Sequence, residues 1–188
     1  MKLLDFSTTL IRLAKPEDLI IIPQLQTTAI KTLYQENYNS QQIQALTQNK
    51  NRRQFWDEII FIAEKEGRVV GFASLLKCRE IINGIYVDPN FIAQGIENQL
   101  LKALEKEAIK RKISILSVTS SLTDQAFYAA RGYKTIANCN FWKMGVLVPC
   151  VAMKKQLNNQ SRQEFLASLL PHLSLASISN VLFLLLAI

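Results

Sequence analysis

Between Ile85 and Lys110 the chain passes from strand to helix across one short loop, and this passage limits the folds open to it. Ile81 to Val87 is rich in β-branched residues and closes at Asp88 and Pro89, because proline cannot donate to a strand ladder. From Gly95 to Lys110, Ile96, Leu100, Leu101, Leu104 and Ala108 line one helical face, and charged or amide side chains fill the rest. A helix that opens directly from such a loop presents unpaired N–H groups and the positive end of its dipole. That end is a ready site for a phosphate group.

The elements on either side fit a layered domain. Leu10 to Ala14 reads as a first strand, and Pro16, Glu17 and Asp18 are helix-start residues. Leu19 to Leu33 carries apolar residues at helical intervals, and a second helix follows with Ser40 as its expected N-cap. Ile59 to Ala63 and Arg68 to Lys77 flank a turn at Gly67 and predict a hairpin. Later come a strand at Ile113 to Val118, a short helix at Asp124 to Arg131, and strands at Tyr133 to Ile136 and Pro149 to Lys154. The order β, α, α, β, β, β, α, β, α, β, β predicts an α/β (α+β) domain. Its sheet is mixed and mostly antiparallel, with helices on both faces.

Charge and cysteine usage narrow the chemistry. The net charge of +7 favours anionic partners, a phosphorylated cofactor among them. No recognition motif for nucleic acid is present, and aromatics do not interleave with the basic clusters, so nucleic acid is not an expected partner. Cys78, Cys139 and Cys150 are widely spaced, and His172 is the one histidine, so neither a metal site nor a disulfide framework is expected. A reducing cytoplasm is the expected compartment. The N-terminus has no charged stretch leading into a long apolar run, so a signal peptide is not expected.

Residues 85–108, IYVDPNFIAQGIENQLLKALEKEA, resemble the cofactor segment of the GNAT superfamily of acyl-CoA N-acyltransferases, in which a strand leads to a pyrophosphate loop of pattern Q/R-x-x-G-x-G/A. IRLAKPEDL, FIAEKEGRVVGFASL, SLTDQAFYAARGYK and VPCVAMKKQL resemble further segments of small bacterial members, in the right order. The pyrophosphate loop departs from the pattern. Ile92 and Glu97 stand at its first and last positions, and Gly95 is kept.

The resemblance implies the GNAT fold over residues 9–157 and transfer of an acetyl group from acetyl-CoA to an amine, on a small molecule or a peptide. It implies cofactor contacts at Ile85, Tyr86, Val87, Gln94, Gly95, Ile96, Asn98, Thr123 and Phe127. The Val87 N–H would stabilise the oxyanion, Tyr128 would protonate the departing thiolate, and Glu80 is the candidate general base. The acceptor would meet the first helices, with Gln35, Glu36, Tyr38 and Trp56 as candidate wall residues. The altered loop keeps a second reading open, a GNAT-fold ligand-binding or interaction module with weak or no catalysis.

Residues 158–188 form a tail with no charge from Phe165 to Ile188. Three readings of it stand open: a helix packed on the domain or on a second subunit of a homodimer, a membrane anchor, and an extension without fixed structure. Pro171, His172, Ser174, Ser177, Ser179 and Asn180 weigh against the anchor.

Overall fold

The structure, a computed structural model, describes residues 8–48 and 57–157. The tail, Trp56 and the polar stretch Asn49 to Arg53 lie outside the described residues. The elements are β1 (Leu10–Leu13), a 3-10 turn at Pro16–Ile20, α1 (Ile22–Leu33), α2 (Ser40–Thr47), β2 (Glu58–Lys65), β3 (Arg68–Leu76), β4 (Ile81–Val87), α3 (Ile96–Lys110), β5 (Ile115–Ser120), α4 (Gln125–Ala129), β6 (Lys134–Lys143) and β7 (Val146–Gln156). Seven strands form one sheet in the order β1-β2-β3-β4-β5-β7-β6. Every neighbouring pair is antiparallel except β4 with β5.

Alternation along β3 sets which helix covers which face. Phe72 is fully buried with Ile22 and Leu25 of α1 and with Ile60 and Ile62 of β2. Gly71, its neighbour, points the other way. A Cβ there would lie 3.3 Å from Leu100 of α3 and 3.1 Å from the Tyr86 carbonyl. α1 and α3 therefore pack on opposite faces of the sheet. The buried face of α3 consists of Ile96, Leu100, Leu101, Leu104 and Ala108, the stripe read from its periodicity.

Several boundaries differ from the sequence reading, and the main differences have local reasons. The N-cap of α2 is Asn39, not Ser40. The Asn39 side chain accepts from the Gln42 N–H at 2.9 Å while Gln42 reaches back to the Asn39 N–H at 3.1 Å, a reciprocal capping box. The first helical stretch is divided into a 3-10 turn and α1, with Pro23 in the first turn of α1, where its missing N–H is not needed. β6 and β7 are longer than expected. They form a hairpin closed by Met144 (φ 52°) and Gly145 (φ 76°), a two-residue turn with both φ positive, as right-twisted strands require.

The entry of the chain is fixed by one ion-pair network. The Arg12 guanidinium grips both Asp18 oxygens, at 2.7 and 3.0 Å, and its Nε donates to Glu64 at 2.8 Å. Asp18 also accepts from the Lys15 N–H at 2.7 Å. The bond from Arg12, then that from Lys15, hold the Asp18 carboxyl below its ordinary range against the opposing effect of burial. A depressed folded-state pKa gives stability that is present above the unfolded-state value and is lost as pH falls through the folded one. Asp18→Asn is expected to destabilise the domain at neutral pH by about 1–3 kcal/mol. The gap between wild type and variant should close as pH drops below the carboxylate range, as read by urea denaturation at a series of pH values.

Candidate active site

β4 and β5 run in parallel and pair only at Ile81–Ser117 and Ile82–Val118. Beyond that point the two strands part, and a cleft of about 1220 Å³ opens between them and the first helices. Asn83 to Tyr86 of β4 and Val118 to Ser121 of β5 and its end form two of its walls. The orientation of β4 follows from its other edge. The Asp88 N–H donates to the Val70 carbonyl at 2.8 Å, and β3 and β4 pair Phe72 with Tyr86 and Ser74 with Gly84. Because an antiparallel ladder alternates, Tyr86 and Gly84 bond to β3, while Ile85 and Val87 turn their N–H and C=O groups away from it. These groups face the side from which β5 has departed.

Tyr86 stacks on Phe72 with ring centroids 5.2 Å apart and lines the cleft. Gly84 makes room for it. The glycine has φ 153°, and a Cβ there would fall 2.6 Å from the Tyr86 ring.

Tyr128, on α4, lines the same cleft and is almost fully buried, with its ring edge-on to Phe127 and Tyr133. Burial first, then Asp124 and Tyr86, push its pKa well above the ordinary phenol value. It is therefore a protonated hydroxyl at neutral pH, fit to give a proton and unfit to remove one. Cys150 also lines the cleft. Burial, and then its neighbour Cys139, push its thiol up to about 12, so it is not a nucleophilic thiolate at neutral pH.

At the other end of β4, a 3-10 turn at Pro89–Phe91 leads through Ala93 (φ 61°) to Gly95, whose left-handed φ of 76° starts α3 without a capping side chain. Glu97 is half-buried in the first turn. Two cations reach this loop from elsewhere. The Lys65 ammonium donates to Gln94 at 2.9 Å, and the Arg131 guanidinium donates to Asn98 at 3.1 Å while lying 3.9 Å from the centre of the Phe127 ring.

Of the residues expected from the sequence, Ile85, Tyr86 and Tyr128 meet in the cleft. Gln94, Gly95, Ile96 and Asn98 gather at the α3 N-terminus, and Phe127 joins them through Arg131. Thr123 accepts from the Asn37 amide at 3.3 Å. Glu80 is not brought to the cleft. It is exposed at φ 51° on the turn before β4, where its carbonyl accepts from the Ser117 N–H at 3.1 Å. Tyr38 lines the cleft, whereas Gln35 and Glu36 do not.

Among the described residues the acids on the cleft walls are Asp57, Glu58 and Asp124, none of which sequence reasoning singled out. Asp124 accepts from the Tyr34 hydroxyl at 2.5 Å and the Ser121 hydroxyl at 2.7 Å. Burial raises its pKa, and the two hydroxyl bonds oppose that rise. Spacing could not reveal this cluster, since Tyr34 and Asp124 are 90 residues apart.

Comparison with known proteins agrees with this layout. The family model described as the acetyltransferase (GNAT) domain matches residues 24–157. The chain is 28% identical over 131 residues to an uncharacterized N-acetyltransferase, YafP, of Escherichia coli K12, covering 67% of this chain and 81% of that one. Its fold matches a GCN5-related N-acetyltransferase structure from Rhodopseudomonas palustris with a TM-score of 0.75 and 28% identity, over 82% of this chain and 99% of the other. It also matches the fold of YncA, a putative acetyltransferase from Salmonella typhimurium solved with acetyl-CoA. There the TM-score is 0.58 at 20% identity, over 81% and 95% of the two chains.

The chain belongs to the GNAT acetyltransferase family, and its reaction class is transfer of an acyl group from coenzyme A to an amine.

Gly84→Ala tests the packing that shapes the cleft wall. It is expected to displace the Tyr86 ring and destabilise the domain by about 1–3 kcal/mol, as overpacking does. Adding Tyr86→Ala should recover part of the loss in chemical denaturation, because the clash is with that ring.

Proposed function

We propose that residues 9–157 form an N-acetyltransferase domain that uses acetyl-CoA as its donor substrate. The observation that carries this reading is the parted β4–β5 pair, which turns the Ile85 and Val87 backbone groups to the edge that β5 has left, with Ile85 lining a cleft that Tyr128 also lines. The pantetheine arm adds to the free edge of β4 as a further strand would. The pyrophosphate sits on the α3 amides at Gln94 to Asn98, with Lys65 and Arg131 supplying the positive charge that the altered loop lacks.

The amine attacks the thioester carbonyl directly. The Val87 N–H stabilises the oxyanion. Tyr128 gives its proton to the departing thiolate, for which its protonated state suits it. The three free cysteines fit a reducing cytoplasm. Among the described residues no helix is long and apolar enough to cross a membrane.

Titration calorimetry with acetyl-CoA tests the donor. Wild type is expected to bind, and Glu97→Gly is expected to bind more tightly by about 1–2 kcal/mol, since a carboxylate beside the pyrophosphate is removed. No heat and no thermal shift at millimolar acetyl-CoA would overturn the donor assignment. Weaker binding by Glu97→Gly would show that Glu97 supports the loop.

Tyr128→Phe keeps the ring and removes only the hydroxyl. It should lower kcat on the order of 10²-fold with little change in acetyl-CoA affinity. An unchanged rate in stopped thiol-release assays would return Tyr128 to a packing role.

A further inference from the structure

Asp124 differs from the other polar groups of the cleft in one respect. It is a half-buried carboxylate held, among the described residues, by neutral donors. Tyr34 from α1 and Ser121 from the end of β5 both donate to Oδ2, and neither of these bonds uses Oδ1. No lysine or arginine among the described residues contributes to its electrostatics. A buried carboxylate without a cation is incompletely compensated, and an ammonium group is the ligand that completes it.

Its position is equally specific. The Tyr128 N–H donates to the Asp124 carbonyl at 3.2 Å, so the two residues lie one helical turn apart, and both side chains line the cleft.

The surroundings select for the same chemistry. The chain is basic overall, yet among the described residues the cleft walls carry Asp57, Glu58 and Asp124 against one cation, Lys143, which donates to the Leu46 carbonyl at 3.3 Å. Tyr34 and Tyr38 stack with centroids 5.6 Å apart and, with Tyr86, offer aromatic faces to a cation.

We propose that Asp124 receives the ammonium group of the acceptor and takes its proton, and that the acceptor is a cationic primary amine with no carboxylate beside the reacting nitrogen. This rests on the acyl-transfer reading above. One proton passes from the ammonium to Asp124 and on to water. The freed amine forms the C–N bond at the thioester carbonyl, and the C–S bond breaks on collapse. The thiolate takes the Tyr128 proton, and the second proton lost by the nitrogen restores the Tyr128 hydroxyl. Burial raises the Asp124 pKa, which brings the carboxylate closer to a useful base.

The test uses the full chain, acetyl-CoA, and 1,4-diaminobutane and tyramine as probe acceptors, with glycine and glutamate as carboxylate-bearing controls. Thiol release is followed as a function of pH. The titratable groups facing Asp124 are the phenols of Tyr34, Tyr38, Tyr86 and Tyr128, with Glu58 across the cleft, so Glu58→Gln is run beside the other variants.

The diamine or tyramine should be acetylated in preference to the controls. Asp124→Asn should lower kcat about 10²-fold or more while leaving the acetyl-CoA Kd unchanged. Tyr34→Phe removes a bond that holds the Asp124 pKa down, so the acidic limb of the rate profile should move to higher pH. That shift is readable even if Asp124→Asn folds poorly.

An Asp124→Asn enzyme of undiminished kcat, an acidic limb that follows Glu58→Gln instead of Tyr34→Phe, or turnover of the carboxylate-bearing amines alone would overturn the proposal with acyl transfer intact. Failure of wild type to bind acetyl-CoA would instead remove the acyl-transfer reading from which it starts.

Discussion

The site depends on a ladder that stops after two residue pairs. A strand within a sheet normally satisfies its backbone on both edges, and buried N–H and C=O groups rarely go unpaired. β4 pairs with β3 from Ile81 to Val87, apart from a register shift at Asn83, but with β5 only at Ile81 and Ile82. The rest of that edge is held by β3 and offered to whatever occupies the cleft. The pairing of β5 with β7 explains why the gap does not close. β5 pairs with β7 from Ile115–Gln156 to Ser120–Val151, so its far end is fixed to a different part of the sheet.

Around this gap the charges are sorted. Lys65 and Arg131 stand at the α3 N-terminus, where the helix dipole already favours an anion. Asp57, Glu58 and Asp124 stand on the walls of the cleft. Among the described residues, a chain of net charge +7 thus places cations at the loop and mostly acids on the cleft walls. Such a distribution suits two substrates of opposite sign, and net charge alone could not reveal it. Glu97 is the exception on the positive side. Its carboxylate suits the helix dipole by itself but opposes a pyrophosphate at the same place.

Tyr128, the proposed proton donor, is stiffened by its neighbours, and so is the wall around it. Tyr128 is wedged between Phe127 and Tyr133. Tyr133 in turn donates to Glu105 of α3 at 3.2 Å, and Glu105 is paired with Lys155 of β7 at 2.8 Å. Tyr38 ties the end of α1 to both the Pro149 carbonyl and the Leu122 N–H, at 3.0 and 2.8 Å. Phenolic bridges of this kind tie together the elements around the cleft.

Local chemistry made part of this legible in the sequence. The buried stripe of α3, the stop at Pro89, the start of the helix at Gly95 and the order of strands and helices all follow from contacts within a few residues of each other, and sequence spacing encodes such contacts directly. Ile85, Tyr86 and Tyr128 were legible for another reason: they lie in segments that resemble those of one family.

Tertiary structure alone decided the rest. It left Glu80 on an exposed turn. It brought Lys65 and Arg131 to a loop about 30 residues away in the chain, and joined Tyr34 to Asp124 across 90 residues. An acid becomes a base or an ion-pair partner according to its burial and the donors around it. Those are set by which elements the sheet places side by side, and no periodicity along the chain records that.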